Sequence, residues 1–273
     1  MKVISVNSIK GGTSKTTLSI LFINALTKTG YRCLVIDADA SNNSLSAYLT
    51  NGEISRKKSV FDLFLGAKAE ECNIKVNDNL DLIRGDVRLN EFRSTDSLKR
   101  LKRALQGQPY DYCIIDTSPT YDNIIGNVLT SSDILLIPVQ QDIFSYQAVK
   151  YQFEKLLDLE LNDLDIHIIF NQFEKPLTEN QASYRNQITN MFLNDEAFNA
   201  FINPCHISRS SVFRKYINKQ NYQLSDKAET RKAFEEVKGL IKSVLNIKIK
   251  DFDFAFPEKF LYQGFDLFSQ FYI

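Results

Sequence analysis

Short uninterrupted apolar runs alternate along this chain with longer segments whose apolar positions recur every three or four residues. The runs Val3 to Val6, Arg32 to Ile36, Leu80 to Ile83, Tyr110 to Ile115, Asp133 to Pro138, Asp165 to Phe170 and Phe198 to Ile202 are too short for helices and apolar on both faces. That pattern predicts strands of a parallel sheet covered on both sides. The segments between them predict helices over 18–29, 42–50, 59–65, 88–106, 145–159, 178–193 and 226–246, the first closed by Gly30. Strand and helix alternating in this way predict an α/β fold, a doubly wound, mainly parallel sheet flanked by helices. There is no internal repeat and no linker, so the expectation is one domain over residues 1–250 and a separate tail, 251–273.

The first strand runs directly into Lys10-Gly11-Gly12-Thr13-Ser14-Lys15-Thr16-Thr17, and a helix follows at once. Strand, glycine-bearing loop, Lys-Thr and helix is the layout of a phosphate-binding loop. Glycines let the backbone approach an anion, and the amides of a helix N-terminus attract it. Lys15 is expected on the β- and γ-phosphates, and the Thr16 hydroxyl on Mg²⁺. Against the general pattern G-x-x-x-x-G-K-[ST], Ile9 and Ser14 stand where glycines are usual, and Lys10 adds a second lysine.

Two later strands end in carboxylates. Asp37-Ala38-Asp39 follows the second apolar run, and Asp116 ends Tyr110-Asp111-Tyr112-Cys113-Ile114-Ile115-Asp116-Thr117-Ser118-Pro119. Ligands of an open parallel sheet bind beyond the carboxyl ends of its strands, so these acids are placed to face the loop. With Pro138-Val139-Gln140-Gln141-Asp142 and with Asn171 at a later strand end, these features resemble the ParA/Soj/MinD family of deviant Walker A ATPases, whose signature K-G-G-x-x-K-T-[ST] residues 10–17 match.

The resemblance covers roughly residues 1–246 and implies a P-loop NTPase with ATP and Mg²⁺ as cofactors. It implies catalytic roles for Lys10, Lys15 and Asp39, the last orienting the attacking water. Gly11, Gly12, Thr13, Ser14, Lys15, Thr16 and Thr17 would cradle the phosphates, and Thr16, Asp37 and Asp116 would serve the metal shell. Asn171 would read the adenine edge, with Pro204 near the adenine loop. The implied activity is slow, partner-stimulated ATP hydrolysis in plasmid or chromosome partition. The ATP-bound homodimer would hold DNA without sequence preference and be released by a ParB-like partner. A MinD-like membrane-associated ATPase, and an interaction protein whose nucleotide site is degenerate at Ser14, are the competing readings.

Composition narrows this only locally. Lys plus Arg and Asp plus Glu are both 33, so any DNA surface has to be a patch. The best candidate is Arg209, Arg214, Lys215 and Lys219, followed by Lys227, Arg231 and Lys232. Arg56-Lys57-Lys58 reads as a solvated loop. Four cysteines without C-x-x-C spacing read as reduced core thiols rather than ligands of an iron–sulfur cluster. No apolar run reaches the ~18 residues of a membrane span, and the first residues lack a basic-then-apolar leader. The expected location is the cytoplasm, on the bacterial nucleoid. The tail has Phe252, Phe254, Phe256, Phe260, Tyr262, Phe265, Phe268, Phe271 and Tyr272, with four acids against Lys259. That is the wrong sign for anionic lipid, and docking on the core or on a partner protein is expected instead.

Overall fold

A computed structural model describes residues 1–41, 44–52, 57–91, 97–161, 163–174, 178–217, 227–247 and 249. Arg56, Lys219 and the tail 251–273 lie outside the described residues.

The strands are β1 (Lys2–Val6), β2 (Cys33–Ala38), β3 (Asn73–Asn77), β4 (Leu80–Ile83), β5 (Tyr112–Thr117), β6 (Ile134–Val139), β7 (Asp165–Phe173) and β8 (Ile207–Ser208). Between and after them come α1 (Lys15–Thr29), α2 (Ser44–Thr50), α3 (Val60–Phe64), α4 (Ala69–Cys72), α5 (Arg100–Leu105), α6 (Asn123–Ser131), α7 (Ile143–Asp158), α8 (Glu179–Asn194), α9 (Ser211–Ile217) and α10 (Lys227–Leu245). The strands form one sheet in the order β3-β4-β2-β5-β1-β6-β7-β8, parallel throughout except for the β3–β4 pair. Strand order turns about β1, and that switch point is where an open α/β sheet leaves a crevice.

The continuous apolar runs follow from burial on both faces. All six residues of β2 are buried. Cys33 and Val35 join the core beneath α1, α9 and α10, while Leu34 and Ile36 join the core on the opposite face with α3 and α5. β6 divides the same way, with Ile134 and Leu136 on the α1 side and Leu135, Ile137 and Val139 packed with α7 and α8. Helix α1 ends where expected: Gly30 has φ 103° and donates its N–H to the Leu26 and Thr27 carbonyls.

Pro138 is fully embedded in β6, a position that ordinarily excludes proline. It is tolerated because of where β1 stops. Leu136 O accepts from Asn7 N at 3.0 Å, so alternate residues of β6 face β1, and the next in line is Pro138. β1 pairs with β6 only as far as Val6↔Leu136, so the N–H that proline lacks breaks no pairing between the two strands.

Three expectations are corrected. The expected strand 198–202 is a 3₁₀ turn, Asn199–Phe201, with a single bridge Ile168↔Ile202, and the last strand is Ile207–Ser208. The expected helix 88–106 is a 3₁₀ turn, Val87–Glu91, and the short α5. β3 was not expected at all: its polar sequence Asn-Ile-Lys-Val-Asn lacks an apolar run because it is an edge strand, half-exposed and antiparallel to β4.

Candidate active site

Residues 7–14 leave β1 at the crevice and return into α1. Gly12 has φ 74° and Ser14, the N-cap of α1, has φ 65°. Both lie in the left-handed region that turns the backbone sharply, and a Cβ built on Gly12 would meet nothing within 4 Å in the chain itself. The Lys15 side chain is buried and curls back over the loop, its Nζ donating to Ser8 O at 3.2 Å. Burial pulls the Lys15 pKa down, and the charges of Asp116 and Asp39 oppose that pull.

Beneath the loop three strand-end carboxylates meet. Thr16 Oγ1 donates to Asp116 Oδ2 at 2.6 Å, and Ser19 Oγ to Asp116 Oδ1 at 2.9 Å. Asp37 is fully buried, and its Oδ2 accepts from Ser46 N at 2.8 Å and Ser46 Oγ at 2.6 Å. Asp39 Oδ1 accepts from Ser41 N at 2.9 Å and Ser41 Oγ at 2.5 Å. Burial drives the Asp116 carboxyl up to about 7; the hydrogen bond from Thr16 counters it, and the negative charges of Asp37 and Asp39 add to the rise. Burial likewise raises Asp37. Lys15 is the cation that interacts electrostatically with both Asp39 and Asp116, so the pocket carries surplus negative charge.

That surplus suits a divalent cation. No group of three acids, histidines or cysteines among the described residues is close enough to chelate an ion unaided. The donor set instead suits Mg²⁺, which keeps most of its water, takes phosphate oxygens, and needs a hydroxyl such as that of Thr16 with carboxylates behind it.

Lys10 is placed differently from Lys15. Its Nζ lies 2.5 Å from Asp142 Oδ2, 2.8 Å from Gln140 Oε1 and 3.2 Å from Ser145 Oγ. Burial alone would raise the Asp142 carboxyl, but hydrogen bonds from Lys10 and Ser145 more than offset it and hold it below its ordinary value. Asp142 also caps α7, accepting from Ser145 N at 2.9 Å. The second lysine of the loop is therefore tied to the segment between β6 and α7 of the same chain.

With this geometry in place, similarity to known proteins becomes informative. A family model described as an AAA domain matches residues 1–166. The chain belongs to this family. Its curated relatives include the sporulation initiation inhibitor protein Soj of Bacillus subtilis, 34% identical over 157 residues, which are 54% of this chain and 62% of Soj. They also include the chromosome partitioning protein ParA of Caulobacter vibrioides, 28% identical over 163 residues, 55% of this chain and 60% of ParA. The match thus spans about three fifths of these relatives' length. A solved plasmid partition protein of Borrelia burgdorferi bound to AMPPNP is 23% identical and covers 90% of this chain and 98% of its own, with a TM-score of 0.74. At that identity it shares the fold.

In this AAA-domain chain, Lys10 to Thr17, Asp37, Asp39, Asp116 and Asn171 all come together at the carboxyl ends of β1, β2, β5 and β7. Asn171 is turned inward. It is buried, its Nδ2 donates to Thr13 O at 2.7 Å, and its Oδ1 accepts from Gln172 N at 3.0 Å. As placed, its amide braces the loop. Pro204 is exposed in the segment before β8, so it does not sit at a strand's carboxyl end; the loop that leaves β8 begins at Arg209. Of the basic candidates, Arg209 forms an ion pair with Glu174, which also binds Arg185. Arg214 and Lys215 on α9, and Arg231 and Lys232 on α10, are exposed.

Several site residues had no signal in the sequence; Gln140 had one only through the segment 138–142 that carries the resemblance. Gln152 Nε2 on α7 donates to Asn7 Oδ1 at 2.8 Å, and Asn7 Nδ2 donates to Thr117 Oγ1 at 2.8 Å, fixing the exits of β1 and β5 together. Gln140 and Gln172 contact the loop from β6 and β7. An isolated amide more than a hundred residues from the loop has no spacing to betray it.

Proposed function

We propose that this protein is an ATP-dependent, dimerising switch ATPase that serves plasmid or chromosome partition, holding DNA nonspecifically as the ATP-bound dimer and released by a ParB-like partner. The observation that carries the reading is the pair of loop lysines in two different settings: Lys15 folded into its own phosphate loop, Lys10 held away from it by Asp142, Gln140 and Ser145. A lysine held off its own phosphates is available to those of a second copy once that pairing opens.

Bound Mg²⁺ would neutralise phosphate charge and orient the γ-phosphate. The chain's own groups do the rest. Lys15 and the amides of residues 11–16 grip the β- and γ-phosphates. Thr16 presents its hydroxyl to the metal, and Asp116 orients that hydroxyl from behind; Asp37 adds to the charge that holds the shell. Asp39 accepts a hydrogen bond from the attacking water. Lys10 of the second copy supplies positive charge where it builds in the transition state, as an arginine finger does. Lys10→Ala is then expected to bind ATP but lose hydrolysis; unchanged turnover would remove the cross-subunit role.

Exposed Arg214, Lys215, Arg231 and Lys232 support a phosphate-contacting surface on α9 and α10, and a few such contacts suffice for nonspecific binding. The deciding experiment is retention of duplex DNA with ATP, ADP or no nucleotide, at two salt concentrations. Retention with ATP alone, weakened in Arg214→Ala/Lys215→Ala with a salt slope shallower by about two, is the expected result. No retention under any nucleotide would overturn the partition reading.

A further inference from the structure

Serine at position 14 is the departure of the phosphate loop that most needs a physical account. The backbone there has φ 65° and ψ 40°, a conformation that glycine adopts without steric cost and other residues seldom do. Ser14 is also the N-cap of α1, where a serine hydroxyl ordinarily accepts from the first turn of the helix, yet it makes no such bond. Its hydroxyl is engaged elsewhere, by Gln172 at the carboxyl end of β7.

The chemistry of that contact is one-directional. Gln172 Nε2 also lies 3.1 Å from Gly12 O, and a carbonyl can only accept, so the nitrogen of the amide faces the loop. An amide nitrogen only donates. Ser14 Oγ is therefore the acceptor, and the proton of its hydroxyl is left to donate in another direction. The other end of the Gln172 amide is fixed as well: its Oε1 accepts from Gln140 Nε2 at 2.8 Å. Gln140 Oε1 in turn accepts from Lys10. Gln172 itself has φ 55°, so two residues in left-handed conformations, one on each side of the crevice, are joined side chain to side chain.

We propose that Ser14 is an additional phosphate ligand of the loop, donating its hydroxyl proton to a phosphate oxygen of the bound nucleotide, and that Gln172 is the positioning residue that holds it in the left-handed conformation from which it does so. This rests on the nucleotide-binding reading above and deepens it. A glycine at this position would give the turn and its backbone amide but no side-chain donor. The serine gives all three, provided Gln172 fixes it. Gln172 thus holds the serine in addition to the Gly12 carbonyl.

The test is a double-mutant cycle on the full chain, read as the Kd for Mg·ATP and Mg·ADP by calorimetry, with thermal melting of each nucleotide-free variant beside it. Ser14→Gly is expected to melt no lower than the parent and to bind ATP about tenfold more weakly, the loss of one charge-assisted donor. Gln172→Ala is expected to weaken binding about tenfold in the parent and by a clearly smaller factor in the Ser14→Gly background, where only its hold on Gly12 O remains to be lost. Gln172→Glu, which cannot donate to Gly12 O or Ser14 Oγ, is expected to fail to restore binding.

Two results would overturn the proposal: Ser14→Gly binding ATP as tightly as the parent, or Gln172→Ala costing the same factor in both backgrounds. A parent that binds no ATP at all would instead bring down the nucleotide reading on which the proposal stands, so the two failures are told apart by the parent alone.

Discussion

The two flanks of β1 build the same site from opposite materials. On the β5–β2 side the strand ends carry Asp116, Asp37 and Asp39, buried carboxylates crowded beneath the loop. On the β6–β7 side they carry Gln140, Asn171 and Gln172, neutral amides that grip the loop's carbonyls at Gly12 and Thr13. Buried charge is costly until something neutralises it, so the acidic flank responds to protons and to metal. Amides keep their hydrogen bonds at any physiological pH, so the other flank holds shape. One side of the crevice is poised to change state, and the other resists change.

The sharpest way to break that contrast is Asp116→Asn. Burial pushes the Asp116 carboxyl up to about 7, against 3.8 for an ordinary aspartate. Between those values the folded protein binds more protons than the unfolded chain, so stability falls as pH rises from about 4 towards 7 and stays low above it. The asparagine variant should lose most of that slope. At pH 8 it should be more stable than the parent by on the order of 2–4 kcal/mol, while hydrolysis drops by at least about 100-fold. Melting curves at pH 5.5 and pH 8 check the first claim; a variant less stable than the parent at pH 8 would refute it.

A smaller effect is expected at the junction of the two flanks. Asp142→Asn keeps an N-cap for α7 but removes the charge that holds Lys10. Freed from its own subunit, Lys10 should favour ATP-dependent self-association by about three- to tenfold, roughly 1 kcal/mol for one partly buried ion pair. Sedimentation with a nonhydrolysable ATP analogue measures it. Association unchanged or weakened would mean that the Lys10–Asp142 pair does not restrain the dimer.

The smallest expected effect is on the amide flank. Gln152→Leu strands the buried Oδ1 of Asn7 and should cost about 1–3 kcal/mol. The prediction that matters is that the cost is the same at pH 6 and pH 8. A pH-dependent loss would show the amides to be coupled to the carboxylates and would dissolve the distinction between the flanks.

The same contrast explains what could be read without coordinates. β2 was legible because both its faces are buried, which leaves an apolar run that little else mimics. Asp37, Asp39 and Asp116 were legible because each ends such a run, and Lys15 and Thr16 because loop and helix are contiguous in sequence. The amide flank was illegible for the opposite reason. Gln152 and Gln172 act on residues far away along the chain, and a glutamine on a strand end or helix gives no periodic sign of it; Gln140 stood out only as part of the segment 138–142. Short elements failed in their own way. β8 has two residues, too few to form a run, so the apolar stretch before it was taken for the strand. Asn171 lies near the carboxyl end of β7, with its amide nitrogen on Thr13 O.

Pro138 has a consequence for how the crevice keeps its opening. Two parallel strands lying side by side tend to go on closing like a zip, each new bond drawing the next residues into line. Were position 138 able to donate, Asn7 and Ser8 could be recruited into the sheet, and the backbone that should wrap a phosphate would be straightened into strand. Proline removes the next tooth of the zip. The first turn out of β1 is thereby kept from creeping into the sheet by a missing hydrogen atom on the neighbouring strand, a safeguard that requires no contact with the loop at all.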